Sequence, residues 1–297
     1  MQINENLKER IQHVANLPTL PQVATRLIQI INDPLTSSSD IAFIVGQDIA
    51  LSSKVLRLAN SAFYGIPRTI TNINHAVVIL GLKVINTMVL SLTVFDMFPE
   101  SRKTAALFDR KAFWLHSLSC GIICKILTTR IKKFIMFDPE EAFCAGLLHD
   151  IGKVVMEQYL HDDFHKSLEL ARKQKICLHK AEEQVFGFNH TQVSEWLTSE
   201  WSLPAEIQLP LIHHHQIIND PQHQDLISLT HLADWLCYQC DMTIDKNYKS
   251  PELDNTSKSQ LMLTDEDIEE TMKIFPEEIE KISIFFDIAS DKTEKTH

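Results

Sequence analysis

Residues 146–153 read Gly-Leu-Leu-His-Asp-Ile-Gly-Lys and place His149 beside Asp150 in an otherwise apolar, helical stretch. A buried carboxylate is costly unless it is paired or binds a cation, so this pair requires a partner. Lys153 follows about one helical turn later on the same helix, where its ammonium group could contact a phosphate oxygen. We therefore predict a metal-binding role for His149 and Asp150, and catalytic roles for Asp150 and Lys153.

Further imidazole and carboxylate groups occur in the same half of the chain, each flanked by apolar residues. Such ligands suit first-row divalent cations, so we expect one or two ions of Fe, Mn, Zn, Co or Ni. The predicted ligands of one ion are His116, His149, Asp150 and Asp234, and those of a second are His190, His214 and His215. Two such ions would attract a phosphate group and activate water for attack on phosphorus.

Other histidines and cysteines fit the pattern less well. His213 diverges from His214 by about 100° on a helix, so the two cannot both face one centre. His231 lies one turn before Asp234 and could either support a ligand or face the helix surface. His179 is given no role. Cys237 and Cys240 form a C-x-x-C pair, but no second pair completes a zinc site, which favours core packing over metal or redox chemistry.

Helices must position these residues, because apolar residues recur at helical spacing and sustained strand-like alternation is absent. A first helix carries Val23 to Ile31, others follow to about residue 59, and one long helix or two abutting helices run to Phe98. The sequence therefore predicts an all-α fold.

Polar stretches suggest where this helical chain divides. Residues 99–104 are typical of a connector, and residues 243–260 of a loop. We expect a helix from about Thr264 that ends before Pro276, and a frayed tail beyond Ser290. The predicted parts are an N-terminal helical part at 1–105, a helical core with the metal site at 106–242, and a C-terminal part at 243–297.

Composition excludes several classes of partner. The 28 basic and 39 acidic residues give a net charge of −11 without a basic cluster, so we expect no DNA binding. The longest apolar stretch, residues 76–95, is interrupted by Lys83 and Asn86, so we expect no membrane span. The N-terminus lacks the pattern of a secretory signal, which predicts a cytoplasmic protein with reduced cysteines.

The order of His116, His149, Asp150 and the later ligands resembles the HD superfamily of metal-dependent phosphohydrolases, and Leu-Leu-His-Asp-Ile-Gly-Lys is close to its HD-GYP branch. The N-terminal half is similar to the HDOD family, the HD-related output domain of bacterial signalling proteins. That similarity is carried by residues 17–21, 56–65 and 76–82. It spans about residues 10 to 240. The resemblance implies an all-α bundle whose N-terminal helical subdomain packs on a C-terminal HD-like core.

Two departures limit what the resemblance implies. Residues 216–221 contain no Gly-Tyr-Pro, so cyclic-dinucleotide hydrolysis is not carried over. Ala112 stands where some HD-GYP members have an acidic ligand, which argues against a third metal ion. One expectation is a bacterial signalling protein with a metal-dependent phosphohydrolase centre for a phosphodiester or phosphomonoester of a nucleotide-like ligand. The alternative is a non-catalytic regulatory or scaffolding module. The expected partners are a phosphorylated small molecule or nucleotide and a signalling protein.

Overall fold

The structure is a computed structural model that describes residues 7, 10, 18–30, 33, 35–99 and 108–290. All regular secondary structure in these ranges is α-helical, which confirms the predicted all-α fold. The predicted connector at residues 100–104, the end of the first helix at Ile31 and the tail beyond Ser290 lie outside the described residues.

The described residues fall into two compact units. The larger unit comprises Met1–Leu17 and Ser101–Phe275, and the smaller unit comprises Pro18–Glu100 and Pro276–His297. Both units are thus built from segments that are separated in the sequence. The contiguous three-part division expected from the sequence stays a prediction.

Within the part of the smaller unit that the structure describes, five helices are complete. They are α1 (Gln22–Ile30), α2 (Ser38–Val45), α3 (Ile49–Ala59), α4 (Ile73–Leu80) and α5 (Leu82–Met97). The side chains of Ser37, Asp48 and Asn72 accept backbone N–H bonds at the starts of α2, α3 and α4. Gly81 has a φ of 93° and separates α4 from α5, so the second of the two sequence alternatives, two abutting helices, is observed.

The larger unit contains nine complete helices among its described residues. They are α6 (Arg110–Thr128), α7 (Pro139–Leu148), α8 (Ile151–Tyr159), α9 (His161–Gln174), α10 (Leu178–Phe186), α11 (His190–Glu200), α12 (Ala205–His213), α13 (Gln224–Gln239) and α14 (Asn255–Gln260). A Cβ on Gly146 would lie 2.8 Å from the Cα of Gly121, so α6 and α7 approach closely only because both residues are glycine. This crossing brings the α6 residue His116 towards the end of α7.

The His149 and Asp150 pair lies at a corner between two helices. The prediction that the pair and Lys153 share one helix was wrong, because α7 ends at Leu148 and α8 begins at Ile151. Asp150 adopts φ −99° and ψ 10°, which turns the chain. At the start of α8, a Cβ on Gly152 would lie only 2.0 Å from the carbonyl oxygen of His190. The corner is thereby held against the start of α11.

The C-terminal region is more helical than expected. Residues 255–260 of the predicted loop form α14, whose first turn is capped by Asp254. A last helix, α15 (Asp265–Ser290), continues through Pro276, where the sequence predicted an end. Buried Ile282 and Phe285 continue the apolar spacing beyond the proline, and their burial accounts for the longer helix. No helix among the described residues is long and apolar enough to cross a membrane.

Candidate metal centre

Seven side chains of the larger unit converge on one buried cluster. They are His116 of α6, His149 and Asp150 of the corner, His190 of α11, His214 and His215 after α12, and Asp234 of α13. Six of them are at most 2% exposed, and His215 is half-buried. All seven residues predicted as ligands are therefore brought together.

Four ligand atoms of the first predicted set lie close together. His116 Nε2 lies 3.3 Å from His149 Nε2, 3.3 Å from Asp234 Oδ1 and 3.4 Å from Asp150 Oδ2. His149 Nε2 lies 3.3 Å from Asp150 Oδ2 and 3.6 Å from Asp234 Oδ1. A tetrahedral cation with ligands at about 2.1 Å has ligand–ligand edges of about 3.4 Å. The first predicted set of ligands has the spacing that such a cation requires.

A second set of atoms lies on the other side of Asp150. His190 Nε2 is 3.2 Å from His215 Nε2 and 3.4 Å from His214 Nε2. Asp150 Oδ1 is 3.2 Å from His190 Nε2 and 3.6 Å from His214 Nε2. The two oxygens of Asp150 thus face the two sets separately. The sequence assigned Asp150 to one ion, because residue spacing carries no information on how a carboxylate is oriented.

The buried carboxylates support cation binding. Oδ1 of Asp150 and Oδ1 of Asp234 are buried and accept no hydrogen bond from the described residues. Each of these oxygens has an imidazole nitrogen within 3.3 Å, and a cation between the oxygens and the rings would offset the cost of burying the charge. The donor set of imidazoles and carboxylates fits a divalent transition metal.

Backbone and carboxylate oxygens orient the imidazole rings. In four ligand histidines Nδ1 lies 2.6 to 3.1 Å from such an oxygen. The oxygens belong to Met242, Gly146, Leu211 and Glu182, for His116, His149, His214 and His190 respectively. A neutral ring that donates from Nδ1 to these oxygens would present the lone pair of Nε2 to a cation at the centre.

Glu182 of α10 is a functional residue that sequence reasoning missed. Its carboxylate is fully buried, and Oε2 lies 2.6 Å from Nδ1 and 2.9 Å from the backbone nitrogen of His190. Glu182 precedes Glu183 in a polar run that is typical of a solvated helix face. The one available signal was its position on the apolar face defined by Leu178 and Val185.

When no cation is bound, the carboxylates are charged and hold protons on some of the imidazoles, such as His116, whereas burial lowers the pKa of His214 to about 4. Burial alone would raise the pKa of Asp150, but His149 and Lys153 hold it well below its usual range. Burial would lower the pKa of His116, but the carboxylates of Asp150 and Asp234 raise it to about 9. Lys153 donates from Nζ to Asp150 Oδ2 at 2.5 Å, so the predicted phosphate contact lies directly beside this carboxylate.

Two other histidines contact the ligands. Nδ1 of His231 donates to the carbonyl oxygen of His214 at 2.6 Å, and its Nε2 accepts from the backbone nitrogen of Asp254 at 2.8 Å. His231 therefore supports a ligand, which is one of the two alternatives that the sequence left open. The ring of His179, which received no role, stacks on His215 with centroids 4.2 Å apart.

Solved structures share this fold. An HDOD domain protein of unknown function from Geobacter sulfurreducens is 25% identical, with a TM-score of 0.72 and coverage of 96% of both chains. A candidate signal transduction protein from Marinobacter aquaeolei VT8 is 19% identical, with a TM-score of 0.76, over 97% of this chain and 65% of that one. A candidate phosphohydrolase from Shewanella amazonensis SB2B is 22% identical, with a TM-score of 0.70. The match covers 93% of this chain and 97% of that one.

Sequence comparisons identify the family. An uncharacterized protein from Treponema pallidum (strain Nichols) is 24% identical over 221 residues, which are 74% of this chain and 42% of that protein. The match thus spans less than half the length of that relative. The HDOD domain family model matches residues 17–217, which is most of the chain and includes six of the seven converging side chains. The chain therefore belongs to the HDOD domain family.

Proposed function

We propose that this chain is a signal-transduction protein whose buried centre binds one or two divalent transition metals and hydrolyses a phosphodiester or phosphomonoester of a nucleotide-like ligand. The observation that carries the proposal is Asp150, whose two oxygens face two separate sets of imidazoles. When bound, the cations would supply Lewis acidity and an activated water. The signalling role and the cytoplasmic location are parts of the same proposal.

The side chains around the centre have distinct tasks. Asp150 offers an anionic oxygen to each set of histidines, while Lys153 holds one of these oxygens in place. The ammonium group of Lys153 has three donors, so it can keep its bond to Asp150 and also donate to a phosphate oxygen. Glu182 holds the ring of His190 and compensates its charge. With divalent cations bound, the centre would carry a surplus of positive charge, and these side chains would orient it towards a phosphate group.

The substrate would approach from the side of His215 and His179. These two imidazoles are half-buried, whereas the other ligands are at most 2% exposed. Since the rings stack, a planar group such as a nucleobase could extend the stack at this edge. A nucleotide-like ligand is therefore compatible with both the phosphate environment and the entrance.

The test is metal analysis of protein that is prepared without chelator. We expect at least one equivalent of a transition metal, with hydrolysis of generic phosphodiesters or phosphomonoesters. Asp150→Asn should abolish hydrolysis and sharply reduce metal content at both sets, while His75→Ala, in the smaller unit, should change neither. Less than half an equivalent of metal, together with an Asp150→Asn variant as stable as the wild type, would refute the proposal.

A non-catalytic module is the second candidate function. The burial of six of the seven side chains favours it, because a cation enclosed in this way could hold α6, α11 and α13 together without meeting a substrate. In that case the protein would retain stoichiometric metal, lose stability in chelator and show no hydrolysis. Its partner would then be another signalling protein that binds the helical surface.

A further inference from the structure

A second cluster of metal-ligating side chains lies at the corner between α8 and α9. Glu157 lies near the end of α8, and His161 and His165 lie one helical turn apart at the start of α9. Each offers one ligand atom, and the three atoms lie within 4.8 Å of one another. The imidazole rings of His161 and His165 have centroids 3.9 Å apart. None of these residues belongs to the centre around Asp150.

Arg110 holds one oxygen of the Glu157 carboxylate, and the other oxygen accepts no hydrogen bond from the described residues. Glu157 is 1% exposed, and its Oε2 accepts hydrogen bonds from Nε, at 2.8 Å, and Nη2 of Arg110. Its Oε1 is buried and accepts no hydrogen bond from the described residues. Nδ1 of His161 lies 3.6 Å from Oε1. Arg110 therefore fixes the carboxylate, and Oε1 points to the histidines.

Both imidazoles are suited to act as ligands. Nδ1 of His161 lies 3.2 Å from the carbonyl oxygen of Glu157, so a proton at Nδ1 leaves Nε2 free. Nε2 of His165 is buried and has no hydrogen-bond partner among the described residues. Burial, and then the neighbouring His161, lower the pKa of His165, which keeps this ring neutral. The side chain of His161 is 40% exposed, so an ion could exchange with solvent.

We propose that Glu157, His161 and His165 form an additional, exchangeable site for a borderline divalent cation of the zinc class. Two imidazoles and one carboxylate are a suitable donor set, and water would complete the coordination. The guanidinium group of Arg110 opposes a cation, but it is neutralised by Glu157, and Asp162 and Glu169 add negative charge around His165. The site is independent of the proposed hydrolysis.

The first test is equilibrium dialysis of the full chain against Zn²⁺, with bound metal measured by mass spectrometry. The double variant His161→Ala and His165→Ala should bind one equivalent less than the wild type. It leaves the buried pair of Arg110 and Glu157 intact, so the fold should be retained. The matched control His75→Ala should bind as much Zn²⁺ as the wild type. Equal binding by the double variant and the wild type would overturn the proposal.

The second test locates the ion and separates this site from the buried centre. Modification of exposed imidazoles by diethyl pyrocarbonate can be followed residue by residue by peptide mass spectrometry. Zn²⁺ should protect His161 in the wild type and also in Asp150→Asn, in which the buried centre is impaired. If Zn²⁺ leaves the modification of His161 unchanged in both proteins, the site does not exist, whatever the outcome for hydrolysis.

Discussion

Asp150 determines how protons and cations compete at the buried centre. Its carboxylate contacts Lys153 and lies within 3.6 Å of four imidazole nitrogens. Without a cation, protons on the neighbouring imidazoles supply the compensating positive charge, as the raised pKa of His116 shows. A divalent cation must therefore displace protons that the two buried carboxylates hold in place.

Metal uptake should consequently depend on pH. The pKa of His116 is about 9 in the metal-free centre, compared with an ordinary value of 6.5, so the ring is protonated at neutral pH. A cation that binds there must release this proton, and its affinity should rise as the pH rises towards 9. Titration calorimetry in two buffers of different ionisation enthalpy measures the protons released. An affinity that is constant between neutral pH and pH 9, with no proton released, would contradict this prediction.

Glu182→Gln should weaken metal binding without leaving a cavity in the core. The amide is similar in size to the carboxylate but removes the charge that orients and compensates His190. Loss of such a supporting carboxylate typically lowers metal affinity roughly 10- to 100-fold. Competition with a coloured chelator measures the change. Glu183→Gln, at the adjacent exposed position, is the control, and equal affinities of the two variants would disprove the assigned role.

At the level of single residues, the sequence predicted which types of side chain form the centre but not how those side chains are oriented. Each residue of the expected ligand set lies in the cluster, because a buried imidazole or carboxylate needs a charged or hydrogen-bonding partner. The position of Asp150 between the two sets of imidazoles and the support of His190 by Glu182 depend on side-chain directions across different helices. No local spacing encodes those directions.

Among the elements, the start of α8 is the most constrained. Gly152 leaves no room for a Cβ, which would meet the carbonyl oxygen of His190 at 2.0 Å and the hydroxyl oxygen of Ser194 at 2.8 Å. Gly152→Ala should therefore push α8 away from α11 and separate Asp150 from His190. Overpacking of this kind costs about 1–3 kcal/mol in the free energy of unfolding. We expect lower metal content as well as lower thermal stability.

Gly81→Ala is the comparison that separates a loss of metal from a loss of stability. Nothing lies within 4 Å of its added Cβ, but the φ of 93° strains any L side chain there. This variant should lose about 1–3 kcal/mol of stability and keep its full metal content, because Gly81 lies in the smaller unit. If Gly152→Ala retains as much metal as Gly81→Ala, the contact between α8 and α11 does not position the centre.

The sequence predicted that the chain is helical, but it did not predict where several of the helices end. Apolar spacing correctly indicated an all-α chain, but it could not show that the chain turns at Asp150, since neither the corner residues nor their immediate neighbours are proline or glycine. The prediction that a helix ends before Pro276 relied on the missing N–H of proline. In the structure, apolar residues beyond Pro276 are buried, and tertiary packing outweighs that local signal.

The whole molecule depends on its C-terminal helix for one of its units. Within the smaller unit, the ring of Phe285 lies 5.3 Å from that of Phe63 and 6.0 Å from that of Phe95. Nζ of the buried Lys54 donates to the carbonyl oxygen of Ala289 at 2.9 Å. Residues 276–290 thus complete a core whose other members come from the first hundred residues.

A chain that ends at Phe275 should lose the smaller unit selectively. Removing a single buried phenylalanine side chain costs about 3–5 kcal/mol, and the truncation removes Phe285 and Phe286 together. We expect hydrogen exchange to show loss of protection in residues 18–99, while the larger unit keeps its metal. The single variant Lys54→Met is a milder comparison. Unchanged protection of residues 18–99 in the truncated chain would contradict the prediction.

The interleaved path of the chain also restricts how such proteins can be recombined. The smaller unit is assembled from Pro18–Glu100 and Pro276–His297, on either side of the segment that forms most of the larger unit. A single genetic crossover between two homologues would join α5 of one parent to the terminal helix of the other. Functional chimaeras should therefore require two exchange points, one near residue 100 and one near residue 275, so that the partners of each hydrophobic core are inherited together.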